Sequence, residues 1–391
     1  MRENYGGFGS ERQAAIYAAG AAGHPPVSPL SPEKLELAAA RVLNPPAYDY
    51  VAGAAGGEAT ARANVAEFAR WFLVPRMLTD VRERDTRVEL FGQTLPAPLL
   101  LAPVGALGIV HPDGELPVAR AAAATGIPLV ASTMTSHTLE EIATAMGPAN
   151  RWFQLYWGPD RDVNLSLVQR AEQAGYSVLV VTLDTRMLGW RERDLERGHL
   201  PFLGGVGIAN YLSDPVVRSR LTAAPEEDIS AAVRHAVGLL GDPTFTWSDL
   251  RFLSERTRLP IVVKGILHPQ DAVEAMEAGA NGLIVSNHGG RQLDGSVPAL
   301  RALPSVMEEA GRQVPVLFDS GVRRGADAVK AIALGARAVL LGRPYVWGLA
   351  VGGEAGVRDV VENFLADFDL TLAISGRAKV SEVNREMLAP A

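Results

Sequence analysis

Eight short apolar runs, each ending in polar residues, constrain this chain more than any other feature. They are Pro98–Pro103, Pro128–Ser132, Arg151–Tyr156, Val178–Asp184, Ile261–Lys264, Gly282–Asn287, Val314–Asp319 and Ala338–Arg343. Most recur at about 22 to 32 residues, the length of one strand–helix unit. Helical segments such as Asp271–Ala278 and Ala326–Leu334 lie between them, each closed by a glycine suited to a helix C-terminus. Eight such units in series predict a closed (β/α)8 TIM barrel of class α/β, since an open doubly wound sheet usually has fewer strands and a reversal of order. The interval between the fourth and fifth runs is the exception. It is about 80 residues, roughly 50 more than a strand–helix unit needs, so an insertion at about 192–246 is expected to form a lid or added subdomain.

The flanks read less clearly. Ser31-Pro32-Glu33 has the form of an N-cap followed by proline in the first turn, opening a helix to about Leu43. A second helix is expected over Glu58–Arg70, and Val88–Leu95 reads as a hairpin. The first thirty residues, rich in Gly, Ala and Pro with little periodicity, are expected to be an arm that packs on a neighbouring subunit. The whole chain is then one domain: arm, helices and hairpin over 1–95, barrel over 96–345, and C-terminal helices over 346–391.

Composition narrows the function. With 391 residues, 48% hydrophobic, the chain can bury a large core, and 37 Lys+Arg against 44 Asp+Glu leave a net charge of −7 without a dense basic cluster. Nucleic acid is thus not an expected partner. The absence of cysteine excludes disulfides and thiolate chemistry and fits a reducing compartment, so a cytoplasmic location is expected. No run approaches the eighteen or so apolar residues of a membrane span, and no metal-ligating spacing such as His-Glu-x-x-His occurs.

In such a barrel the reacting groups stand at the strand C-termini. Those positions are polar: Gln154-Leu155-Tyr156, Thr182-Leu183-Asp184, Lys264, Ser286-Asn287-His288-Gly289-Gly290-Arg291, Asp319-Ser320-Gly321-Val322-Arg323 and Gly342-Arg343. The last two loops have the makeup of a phosphate clamp, with glycines for close backbone approach and arginines as forked donors. A histidine between such glycines and an arginine offers a base beside a carboxylate receptor.

The run Ser286–Gln292, with Asp319–Gly325 and Leu341–Pro344, resembles the FMN-dependent α-hydroxy acid oxidases and dehydrogenases. The resemblance covers nearly the whole barrel and the Tyr50–Gly53 segment. Through Leu183–Thr185, Gly189–Asp194, Pro201–Leu203 and Asn210-Tyr211, and through the insertion itself, it is closest to the lactate 2-monooxygenase branch. It implies His288 as the base, Asp184 behind it, and Tyr50, Tyr156, Arg191 and Arg291 as substrate contacts. It implies FMN contacts at Pro103, Val104, Gly105, Ser132, Gln154, Thr182, Lys264, Ser286 and Gly289, and phosphate contacts at Asp319, Gly321, Arg323, Gly342 and Arg343. Many relatives carry alanine where Gly105 stands, so extra room near the reactive flavin nitrogen is expected. The implied reaction turns L-lactate and O2 into acetate, CO2 and water. The alternatives are an oxidase that releases a 2-oxo acid and H2O2, a dehydrogenase passing electrons to a quinone or cytochrome, a phosphate-sugar or nicotinamide enzyme on the same barrel, and a flavin-binding protein without catalysis. The implied partners are a small 2-hydroxy acid and O2, with a homotetramer or octamer as the assembly.

Overall fold

The computed structural model describes residues 7–24, 26 and 28–391. Eight parallel strands close into a barrel: Leu99–Leu101, Leu129–Ser132, Arg151–Tyr156, Leu179–Thr182, Ile261–Ile266, Gly282–Val285, Val316–Phe318 and Val339–Leu341. Each pairs with the next, and the eighth closes on the first, Leu99–Leu101 lying against Val339–Leu341. Every expected strand is present; most are shortened by a residue or more, their polar C-termini leaving the ladder to form the mouth, whereas the fifth runs past Lys264 to Ile266.

The strands are continuous apolar runs because both faces are buried. Alternate side chains separate into two cores. Leu100, Val130, Trp152, Val180, Val262, Ile284, Leu317 and Leu340 fill the barrel interior, while Leu99, Leu101, Phe153, Leu179, Val181, Ile261 and Val263 pack under the helices. The expected hairpin, Val88–Leu90 with Gln93–Leu95, seals the bottom: Val88, Leu90 and Leu95 join the interior cluster and Phe91 meets Trp152 edge-on with centroids 5.5 Å apart. With the lower end plugged and the interior filled, the open space of the barrel lies at the strand C-termini.

Ser31 caps the helix Pro32–Val42 as expected, and Ala59–Ala66 continues into a 3-10 turn at Glu67–Arg70. The glycines expected to end helices do so: Gly279 and Gly335 follow Pro269–Glu277 and Gly325–Ala333 with φ of 99° and 113°, a left-handed backbone that side chains disfavour. The interval between strands four and five holds five short helical segments, Glu192–Glu196, Pro201–Gly204, Ala209–Leu212, Pro215–Ser219 and Ile229–Val237, before the helix Trp247–Ser254 that belongs to the strand–helix series.

The structure adds detail to both flanks. Part of the N-terminal arm is a helix, Gly7–Ala21, and it packs on its own chain: Arg12 pairs with Asp359 at 3.0 Å and Glu362 at 2.8 Å. Its apolar periodicity is weak because alanine and glycine carry little contrast, so the tertiary contact holds it. Residues 1–6, 25 and 27 of the arm lie outside the described residues. At the other end Arg343–Ile374 is two helices joined at Gly352-Gly353, but the chain then finishes as a strand, Leu388–Pro390, antiparallel to Trp71–Leu73. Three residues are too few for a period to show in sequence.

Candidate active site

A cavity of about 1480 Å³, its solvent-open mouth included, lies over the strand C-termini. Fifteen of the expected site residues line it: Tyr50, Pro103, Val104, Gly105, Tyr156, Arg191, Lys264, His288, Gly289, Arg291, Asp319, Gly321, Arg323, Gly342 and Arg343. The other five, Ser132, Gln154, Thr182, Asp184 and Ser286, sit one layer behind. Gln154 Nε2 donates to Thr182 Oγ1 at 3.0 Å, its Oε1 accepts from Ser132 Oγ at 2.9 Å, and Ser286 Oγ accepts from Lys264 Nζ at 2.9 Å. These bonds satisfy buried polar groups beneath the cavity floor.

His288 stands on a strained turn. Its φ is 58°, followed by 64° at Gly289 and 79° at Gly290. For a residue with a Cβ this backbone costs about 1–2 kcal/mol. The turn is held by the His288 N–H donating to Ser286 Oγ at 3.0 Å, and it cannot relax toward Ala61, whose backbone N would lie 2.6 Å from a Cβ at Gly290. The imidazole Nδ1 lies 2.7 Å from Asp184 Oδ1. A carboxylate only accepts, so the proton is on Nδ1 and Nε2 presents a lone pair, 3.4 Å from the Tyr156 hydroxyl. Burial pushes the His288 pKa down, Asp184 works against this, and Lys264 reinforces it. Burial pushes Asp184 up, but the charges of His288 and Lys264 outweigh it and the carboxyl lies below its ordinary range. Base and counter-charge are thus set as a neutral imidazole on a buried carboxylate.

Lys264 is buried, which alone lowers its pKa, yet Asp319 at 3.2 Å and Asp184 raise it above the ordinary lysine value. The carboxylate of Asp319 therefore serves Lys264 and accepts from Ser320 Oγ at 2.8 Å. Asp319 also lines the cavity.

The guanidinium groups carry a different signal. Arg343 donates to the carbonyls of Val51, Gly289 and Gly53 at 2.9, 3.1 and 2.9 Å, and Arg323 to that of Val322 at 3.0 Å. Among the described residues neither has a carboxylate in ion-pair range. Burial, then Arg291 and Arg323, press the Arg343 pKa down to about 9. Arg291 lies 5.1 Å over the Tyr50 ring and donates to the Gly53 carbonyl at 2.6 Å; burial and Arg191 lower it to about 10. Crowded cations that repel one another in this way favour an anion between them.

A family model described as FMN-dependent dehydrogenase matches residues 39–390. The chain belongs to that family. It is 43% identical over 366 residues to an FMN-dependent alpha-hydroxy acid dehydrogenase of Penicillium citrinum, covering 93% of this chain and 91% of that one. It is 46% identical over 356 residues to an L-lactate oxidase of Alicycliphilus denitrificans, 91% and 95% of the two chains. A solved structure of an active mutant of (S)-mandelate dehydrogenase matches with a TM-score of 0.84 at 36% identity, covering 93% of this chain and 99% of that one. FMN is the cofactor, and FMN-dependent oxidation of a 2-hydroxy acid is the reaction class.

For an FMN-dependent enzyme the unpaired cations have a purpose. Arg323 and Arg343, beside the glycines Gly321 and Gly342, fit a phosphate dianion. The Gly342 position has only the Ala102 Cβ, at 3.8 Å, within 4 Å, so backbone is open there to a ligand. Gly105 is not simply spare room: a Cβ there would lie 2.7 Å from the Met134 carbonyl, so the loop after the first strand is pressed on the one after the second.

Sequence reasoning missed several cavity residues. Thr185 lines the cavity, donates to Asp184 Oδ1 at 3.1 Å and lies 3.3 Å from His288 Nδ1. Ser320 accepts from the N–H groups of Asn287 and Gly289 at 3.3 and 3.0 Å. Leu200, Phe202, Val237 and Leu240, from the insertion, form part of the wall. Thr185 and Ser320 stood inside motifs already noted, next to charged residues, and Phe202 inside Pro201–Leu203; Leu200, Val237 and Leu240 carried no signal beyond lying in the expected insertion.

Proposed function

We propose that the enzyme oxidises a small L-2-hydroxy acid, L-lactate first, and keeps the 2-oxo acid in place so that lactate and O2 leave as acetate, CO2 and water. The observation that carries this reading is the wall built by the insertion. Leu200, Phe202, Val237 and Leu240 enclose the space that His288, Arg191 and Arg291 also line, with Phe202 packed edge-on to Tyr50 at 6.4 Å. An apolar cover slows escape of a small anion and excludes water.

Arg323, Arg343, Gly321 and Gly342 would hold the FMN phosphate and Lys264 would place a positive charge toward its ring; once bound, FMN would supply the two-electron acceptor and the route to O2. The remaining work falls to the chain. Arg191 and Arg291 take the substrate carboxylate, which offsets the repulsion that depresses Arg291. Tyr50 and Tyr156 orient the carboxylate and hydroxyl. His288 Nε2 takes the proton, and Asp184 stabilises the imidazolium through Nδ1. Held behind the apolar wall, the 2-oxo acid would meet peroxide before either escapes.

The second reading is an oxidase that releases pyruvate and H2O2, favoured by the 46% identity to an L-lactate oxidase. Air turnover of L-lactate without catalase separates the two. Mostly acetate supports retention, whereas pyruvate with equal peroxide overturns it and leaves the oxidase. The reading includes a cytoplasmic homotetramer, supported by the absence of cysteine and by exposed Phe72, Val74, Met77 and Leu78, which offer a face to bury. No described helix is long and apolar enough to cross a membrane.

A further inference from the structure

Gln292 ends the motif that carries His288, and its side chain has no part in the chemistry above. Its amide is nonetheless fully used. Nε2 donates to the Asp184 carbonyl at 2.9 Å and the Met187 carbonyl at 2.8 Å. Oε1 accepts from Arg191 Nη2 at 2.9 Å and the Gly189 N–H at 3.4 Å. Two protons and two lone pairs are the whole capacity of a primary amide. The polarity is unambiguous, since a flipped amide would face its NH2 to a guanidinium and an N–H, and its oxygen to two carbonyls.

All four partners lie in 184–191, the turn that begins with the carboxylate behind His288 and ends at Arg191, where the first lid helix starts. The turn has little slack: a Cβ at Gly189 would lie 2.5 Å from the Arg291 carbonyl and 2.6 Å from the Gln292 carbonyl. Arg191 is buried and spends one edge of its fork on the protein, Nε on the Arg291 carbonyl at 3.2 Å and Nη2 on Gln292. That choice of edge leaves Nη1 for an incoming anion. Without the amide, the carbonyls of Asp184 and Met187 lose their donor and Arg191 Nη2 loses the acceptor that holds this edge of its fork.

We propose that Gln292 is a positioning residue of the substrate site: it latches the root of the lid to the sixth-strand loop and sets the edge of Arg191 that meets the substrate carboxylate. The inference rests on the reading of Arg191 as a carboxylate binder.

The test uses the FMN-loaded full chain and oxalate, a carboxylate with no oxidisable α-hydrogen, titrated by the change in flavin absorbance. Gln292→Met is expected to raise the oxalate Kd about 10- to 100-fold, the range for a hydrogen bond to a charged group, and to raise KM for lactate more than it lowers kcat. Arg191→Met is expected to weaken oxalate at least as much, and the double variant to bind within about threefold of Arg191→Met alone, because the two act as one unit. An unchanged oxalate Kd in Gln292→Met, with Arg191→Met weakened, overturns the latch and leaves the carboxylate reading intact. Full additivity in the double variant also overturns the latch, because a general structural effect does not depend on Arg191. An unchanged Kd in Arg191→Met overturns the carboxylate reading itself, and the latch with it. Should Gln292→Met fail to hold FMN, Gln292→Ser leaves room for water on the two carbonyls, and the same coupling to Arg191 is expected and the same outcomes decide.

Discussion

Asp184→Asn keeps the shape of the group behind His288 and removes its charge. When His288 takes a proton, the imidazolium faces a carboxylate oxygen 2.7 Å from Nδ1. Taking the charge centres as roughly 4 Å apart in an effective dielectric of about 20, the attraction is about 4 kcal/mol. That corresponds to roughly 10³ in rate. An asparagine can also turn its NH2 toward Nδ1, which places the imidazole proton on Nε2 and removes the base from the cavity side. The assay is anaerobic mixing of FMN-loaded protein with L-lactate, following loss of the oxidised flavin band. Flavin reduction should slow about 10²- to 10³-fold with FMN retained. The pH profile supplies an independent check. Burial lowers the His288 pKa and Asp184 partly restores it, so the acid limb of the parent lies below 6.5, the ordinary histidine value. Removing Asp184 takes away the restoring charge, so the limb shifts further toward acid while the plateau falls. A loss of less than tenfold with FMN bound, or an acid limb that moves upward, would refute the reasoning.

Arg343→Met should weaken FMN about 10- to 100-fold or more, since a charge-assisted contact is lost, and should also lower the melting temperature of the FMN-free protein, because the Val51 and Gly289 carbonyls lose their donor even as the repulsion from Arg291 and Arg323 is relieved. Thermal melts with and without FMN read both effects; an unchanged FMN affinity would remove Arg343 from the phosphate site. Phe91→Ala acts at the opposite end of the barrel, where the ring packs on Trp152. It should cost about 1–3 kcal/mol of stability, since the ring is only partly buried, and leave the rate of flavin reduction near the parent value; a large rate loss in folded protein would mean that the bottom plug governs the site.

Strand positions were legible because a strand buried on both faces must be apolar along its whole length, and the lengths between strands must accommodate a helix. The polar strand ends were legible for the complementary reason, that Lys264, His288 or Asp319 would be costly at those positions without partners and a purpose. Thus all eight strands and fifteen of the residues lining the cavity could be named in advance. The helix Gly7–Ala21 could not, because its stability comes from Arg12 on the C-terminal helix and Gly9 N–H on Asp369, at 2.8 Å across the chain. Nor could the strand Leu388–Pro390, which exists only because Trp71–Leu73 has a free edge.

By itself, then, the sequence determined the repeating architecture and the chemical types at its mouth, since both follow from local pattern and spacing. Tertiary structure alone decided the pairings: Asp319 with Lys264, Gln292 on the turn that leads to Arg191, and the insertion's Phe202 against Tyr50. Each of these joins residues brought together only when the barrel closes and the insertion folds back over it. Hydrogen bonds and charge screening depend on distances of a few ångströms, which chain order does not encode.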